Sequence, residues 1–332
     1  MPALLIKLRP TGPWRIGPDS GDRDRVDRIF HSDSLYSAVS SAMLRLGMLE
    51  EWLEATARAE APAVRFSSCF PFQGETLLAV APRSLWPPPP SSKIRWKGAR
   101  FVPLAVVESL LAGRAIPEEG WTIDGASECL VQESSSGPFR MSVRSSAAVD
   151  REGRGIAPHS TACLEFTPGS GLWTVAAFSG EEARDRWTAP LTAALRLLAD
   201  TGLGGERSRG WGRAEQPETI AGELANLLRL EASVERSNGG WWLLSLFHPG
   251  PSDQVDWKQG DYAVTTRGGR IESDAGWGEP KRATRMITEG SVVVSPAEPR
   301  GSALDVAPAD FAHPVYRAGY AVAIPLAVKA AS

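Results

Sequence analysis

The chain has 332 residues, 42% hydrophobic and 23% charged, values usual for a folded protein of about two domains. That length buries a core without metal or disulfide staples, and the composition excludes disordered, collagenous and coiled-coil chains. With 36 Lys+Arg against 39 Asp+Glu, a formal charge of −3, the chain is no general polyanion binder. Any nucleic-acid site must be a local basic patch.

The chain opens on a strand-length apolar run, Leu4 to Leu8, with no basic segment leading into a long apolar stretch. This predicts a strand rather than a signal peptide, and no run reaches the 18 apolar residues of a membrane span. A polar, Gly/Asp/Arg-rich loop follows, Gly12 to Arg28. Behind His31-Ser-Asp-Ser, apolar residues fall at Leu35, Ala38, Val39, Ala42, Met43 and Leu46. That spacing predicts an amphipathic helix, with Ser32 or Asp33 as its N-cap and Gly47 as its stop. Val64 to Phe72 and Thr76 to Val80 read as strands. Leu85-Trp-Pro-Pro-Pro-Pro-Ser-Ser reads as an extended linker, because four prolines fit neither a helix nor a central strand.

Residues 130–165 lack helical periodicity but carry Arg140, Arg144, Arg151 and Arg154. They predict a long, exposed β-hairpin. Leu172 to Phe178 reads as a strand, and Trp187, Leu191, Ala194, Leu195 and Leu198 as a second amphipathic helix ending at Thr201-Gly202. Past Gln216-Pro217 the pattern gives a helix over Ile220 to Leu228. Strands follow at Gly240–Phe247, Tyr262–Thr266, Ser291–Ser295 and Tyr320–Ile324. The expected division is 1–216, holding the hairpin and the glycine-rich loop 202–212, and 217–332.

Catalytic signals are sparse. The four histidines, His31, His159, His248 and His313, form no HxxxH pair, and Cys69, Cys129 and Cys163 form no CxxC. No metal or other cofactor is expected. The three cysteines read as buried thiols of a cytoplasmic protein. GxSxG and Walker A motifs are both missing. His31, heading a helix, is the best single acid/base candidate, though binding or structural roles suit it better.

The strongest signal is Gly202-Leu-Gly-Gly-Glu-Arg-Ser-Arg-Gly-Trp-Gly. It follows a helix, whereas nucleotide-binding glycine loops precede one. Its glycines allow close backbone approach to a polyanion. Arg207, Arg209 and Arg213 outnumber Glu206 and offer bidentate phosphate contacts. Trp211 offers a stacking face.

This loop resembles the glycine-rich loop of the RAMP superfamily of CRISPR proteins. His31-Ser-Asp-Ser-Leu-Tyr-Ser-Ala resembles the first-helix signature of one branch, the Csm-type subunit that caps the 5′ end of the CRISPR RNA (crRNA). Phe66-Ser-Ser-Cys-Phe-Pro-Phe, Val143-Arg-Ser-Ser-Ala-Ala-Val-Asp-Arg-Glu-Gly-Arg, Arg282-Ala-Thr-Arg-Met-Ile-Thr-Glu-Gly-Ser and His313-Pro-Val-Tyr-Arg-Ala-Gly-Tyr are similar to further motifs of that branch.

The resemblance implies an α+β fold of two ferredoxin-like (RRM-like) domains, the first carrying a hairpin thumb. It implies a non-catalytic subunit of a type III-A effector complex that holds the repeat-derived 5′ handle. Its partners would be the crRNA, the large polymerase-domain subunit, a backbone RAMP subunit and, indirectly, target RNA. No membrane is involved. The RNA contacts expected are His31, Ser32, Arg140, Arg144, Arg151, Gly204, Gly205, Arg207, Ser208, Arg209 and Trp211. The alternative is a crRNA-processing endoribonuclease of the same superfamily using His31 as acid or base. Of the twelve tryptophans, Trp86, Trp96 and Trp257 sit in loop-like contexts that suit interfaces.

Overall fold

A computed structural model describes residues 1–18, 20–88, 96–149, 156–230, 238–273 and 276–327. The first half runs β1 (Pro2–Leu8), α1 (Ser32–Arg45), α2 (Leu49–Ala55), β2 (Val64–Phe66), β3 (Phe70–Gln73), β4 (Thr76–Ala79), β5 (Val102–Pro103), α3 (Leu104–Leu111), β6 (Trp121–Asp124) and β7 (Cys129–Gln132). It continues through β8 (Phe139–Val149), β9 (Ile156–Phe166), β10 (Ser170–Phe178), α4 (Glu181–Thr201), β11 (Glu218–Glu223) and α5 (Leu224–Leu228). The second half holds β12 (Gly240–Leu243), β13 (Asp256–Asp261), β14 (Val264–Arg267), β15 (Arg270–Ser273) and β16 (Gly276–Pro280). β17 (Thr284–Ile287), β18 (Val292–Val294), β19 (Gly301–Asp305), β20 (Tyr316–Tyr320) and β21 (Ala323–Leu326) complete it.

The first sheet has the order β11-β1-β10-β3-β4-β5, with β2 also on β10. β10 is buried along its whole length. It pairs with β1 on one side and with β2 and β3 on the other, which explains a near-continuous apolar run in place of alternation. Helix α4 packs on β1, on β10 and on α1, and α1 reaches across to β20. A second sheet, β13-β18-β12-β21, lies in the second half beside several two-stranded ribbons.

One apolar cluster joins the halves. It includes Leu4, Leu35, Trp52, Phe66, Trp173 and Trp187 from the first half and Trp242, Val292, Tyr320 and Ile324 from the second. Arg65 crosses the same boundary, with Nη1 donating to the carbonyl of Ala321 at 3.0 Å.

The expected hairpin is present as β8 paired with β9, in register from Phe139↔Phe166 to Val149↔Ile156. Several expectations need correction. Ile220–Leu228 is no helix: β11 pairs with β1 along six residues, and only Leu224–Leu228 is helical. The first sheet therefore runs past residue 216 to Glu223. Val64–Phe72 is two strands, and Tyr320–Ile324 is broken between β20 and β21. Neither Ser32 nor Asp33 caps α1. The N-cap is His31, with no side-chain cap bond, because the neighbouring side chains are drawn to the second half instead. Among the described residues there is no helix beyond Leu228, so the described part of the second half does not show the paired helices of a ferredoxin-like domain. Trp96 is fully buried and stacks on Trp86 at 5.6 Å, a core rather than an interface role, while Trp257 is partly exposed.

Candidate nucleic-acid interface

The glycine-rich loop folds on itself. The Leu203 N–H donates to the carbonyl of Gly212, and the Gly212 N–H to that of Pro13. Gly204 and Gly212 both have φ near +80°, a region that favours glycine. A Cβ at Gly212 would collide with the Leu203 carbonyl, and one at Gly204 with the Arg15 carbonyl. These two glycines are thus required by chain-on-chain contact, not by approach of a ligand. Gly210, also at φ +80°, faces open space. Gly205 lies against the Arg15 side chain, Ser208 is exposed, and Trp211 is half-buried.

The arginines of the loop face outward. Arg207 Nη2 donates to both carboxylate oxygens of Glu272 at 2.7 and 2.6 Å. Arg209 pairs with Glu206 at 3.2 Å and reaches His159 of β9 at 3.3 Å. On the hairpin, Arg140 and Arg144 share the Glu165 carboxylate, whose pKa is lowered: burial opposes the shift, and the two guanidiniums override it. Exposed ion pairs of this sort hold little net stability, so a phosphate can replace the carboxylate partner at small cost. The Arg209–His159 contact brings the glycine loop to the hairpin, so Arg140, Arg144, Arg207 and Arg209 belong to adjoining elements. Arg151 lies outside the described residues.

His31 and Ser32 are placed differently. His31 is 8% exposed. Its Nδ1 donates to Glu289 at 2.7 Å and its Nε2 to Asp27 at 3.1 Å. Burial works against the charged imidazole, but the Glu289 charge and the hydrogen bonds to Asp27 and Glu289 lift its pKa to about 10. Glu289 is held low in turn, with burial outweighed by His31 and by the Ser68 hydroxyl. An imidazole locked as a cation between two carboxylates neither trades protons near neutral pH nor offers a nitrogen to RNA. Ser32 is also buried, and its hydroxyl accepts the Leu246 N–H at 3.1 Å. Asp33 binds Arg267 at 2.9 Å and Arg317 at 3.3 Å.

Four of the sequence motifs thus meet in one buried polar cluster: His31–Asp33, Ser68, Glu289 and Arg317. It clasps the halves together and involves neither the glycine loop nor the hairpin. Sequence reasoning missed Glu289, Arg267 and Arg317. Glu289 and Arg317 stand inside the quoted motifs, but nothing in the sequence marks what they pair with.

Among the described residues, no group of His, Cys, Asp and Glu could hold a metal ion, and no helix is long and apolar enough to cross a membrane. All three cysteines are buried, and burial pushes Cys69 and Cys129 up to about 12.

Residues 236–326 match the family model of the CRISPR Csm4 C-terminal domain. No curated protein matches the chain. Among solved structures, one similar chain comes from the Csm3-Csm4 subcomplex in the type III-A CRISPR-Cas interference complex. It has a TM-score of 0.65 at 18% identity, covering 99% of this chain and 100% of that one. Another, from the Csm1-Csm4 cassette in complex with cA4, has a TM-score of 0.57 at 18% identity, with 100% of both chains covered. At such identity the likeness speaks for the fold. Residues 236–326 are thus similar to the Csm4 C-terminal domain, and the chain along its whole length shares the fold of the chains matched in the Csm3-Csm4 and Csm1-Csm4 structures.

Proposed function

We propose that this chain is a non-catalytic subunit of a type III-A effector complex that anchors the 5′ repeat-derived handle of the crRNA. One observation carries the reading: the outward-facing arginines of the glycine loop and of the hairpin lie on adjoining elements, and their ion pairs are with replaceable surface carboxylates. A single-stranded handle suits such a surface, since arginines hold phosphates while splayed bases stack on a ring such as Trp211. Target sequence is read by base pairing, so the protein need only hold backbone and shape.

The hairpin β8–β9 would act as the thumb. The first half reads as ferredoxin-like: β1-α1-β2-β10-α4-β11 gives a sheet order β11-β1-β10-β2, the order expected of that fold. Its unit would close after α5, and the second unit would follow. The names of the matched assemblies, Csm1-Csm4 and Csm3-Csm4, support a bridge between a large subunit and a backbone subunit.

The test is to express the chain with its operon and CRISPR array and to map RNA crosslinks. Crosslinks on the 5′ handle from peptides around 140–149 and 202–213 are expected. Arg207→Ala with Arg209→Ala should weaken crRNA retention, each lost phosphate contact removing about 0.7 from the log–log salt slope. Crosslinks spread along the spacer would make the chain a backbone subunit. Specific cleavage of repeat RNA, abolished by His31→Ala, would make it the nuclease.

A further inference from the structure

The Gly12–Arg28 loop has no packing pattern in its sequence, yet it is fixed to the interface. Arg15 fixes it. This side chain is 7% exposed, and all its hydrogen bonds go to main-chain carbonyls. Its Nη1 donates to Arg23 at 2.9 Å, Arg25 at 3.1 Å and Ala162 of β9 at 3.0 Å, and its Nη2 to Asp22 at 2.8 Å. The backbone of Arg15 also receives the Gly205 N–H at 2.8 Å. The Ala162 N–H donates to the Arg23 carbonyl at 2.8 Å. Arg15 therefore ties three segments together, its backbone holding the glycine loop and its buried guanidinium holding the middle of β9 and the loop at 22–25.

Charge follows the same arrangement. Among the described residues no carboxylate forms an ion pair with Arg15, although the charges of Glu206 and Asp24 are near enough to favour its cationic form. Burial lowers its pKa, and a guanidinium keeps its charge within proteins. Residues 20–25 are exposed. They carry two aspartates beside the two arginines: Asp22 is held by the Ser20 hydroxyl at 3.0 Å, Asp24 is exposed, and the Arg23 and Arg25 side chains form no ion pair among the described residues, which leaves each guanidinium able to take a phosphate singly.

We propose that Ser20–Arg25 is a third arm of the RNA surface, its Arg23 and Arg25 taking the phosphodiester backbone of single-stranded RNA. Arg15 is the positioning residue that sets this arm against the glycine loop and hairpin. The proposal rests on the handle-anchoring reading and extends it to residues with no motif of their own.

The experiment uses the full chain and a single-stranded RNA of the repeat-derived handle, with binding followed by anisotropy across a salt series. Arg23→Ala with Arg25→Ala changes two exposed side chains and leaves folding intact. About tenfold weaker binding is expected, with a salt slope shallower by about 1.4 for two lost contacts. Arg15→Gln should give the same loss and add nothing in the Arg23→Ala, Arg25→Ala background, whereas a purely structural role would add its loss to theirs. Unchanged affinity and slope in the double variant, with Arg207→Ala, Arg209→Ala still impaired, would overturn the third arm and leave handle anchoring standing. A wild-type chain that binds no handle RNA would overturn both.

Discussion

His31 has a raised pKa of about 10. Its contribution to stability is complete below its unfolded value of about 6.5 and is lost as pH rises through about 10. Glu289, Asp27 and Asp33 have lowered values, so theirs is present above the ordinary carboxylate range and is lost as pH falls. Stability should therefore fall from pH 8 to pH 10.5. His31→Gln should cost about 3–5 kcal/mol at pH 7, as expected for breaking a buried pair, and should flatten that alkaline decline. Urea melts at both pH values would show it, and an equally steep decline in the variant would mean that another group titrates. In the glycine loop, Gly212→Ala forces a Cβ into the Leu203 carbonyl, and Gly210→Ala meets only open space. Both residues have φ +80°, so both changes carry about 1–2 kcal/mol of left-handed strain. Only Gly212→Ala should cost markedly more in a thermal melt; equal losses would mean that the loop yields to the added carbon.

At the scale of elements, α1 and α4 were legible because burial on one face imposes a helical period. Leu35, Val39 and Met43 are indeed fully buried. Leu35→Asp should destabilise the chain by several kcal/mol, since it buries an unpaired charge. Leu44→Asp on the open face, at 58% exposure, should stay within about 0.5 kcal/mol, and chemical denaturation compares the two. β11 was not legible. All six of its residues are exposed, so no buried face marks it, and its strand character comes from pairing with β1 more than 200 positions earlier. The same distance hid the clasp. His31 and Glu289 are 258 positions apart, and a helix-heading histidine reads equally well as an acid, a ligand or a structural cation. The glycine loop was visible as a unit, but the cause of its glycines was not: close packing against Arg15 and Leu203 is a tertiary fact.

Over the whole molecule, the buried clasp and the shared apolar cluster decide whether the halves are independent. Trp242, Val292, Tyr320 and Ile324 of the second half are covered by the first, and Glu289, Arg267 and Arg317 are neutralised by His31 and Asp33 across the boundary. Released from the first half, the second would expose those side chains and leave three charged groups without their counter-ions, costs that a segment of about 110 residues, with stability of order 5–15 kcal/mol, cannot carry. Residues 224–332 alone should thus give a poorly dispersed amide spectrum and no cooperative melt. The full chain should unfold in one transition, with fluorescence and far-ultraviolet dichroism coincident. Two separated transitions in the full chain, or a dispersed spectrum from the fragment, would show the second half to be an autonomous domain. In the expected case the halves act as one rigid body, so under the proposed function a change at the clasp, although remote from the arginines, should weaken binding of handle RNA along with stability.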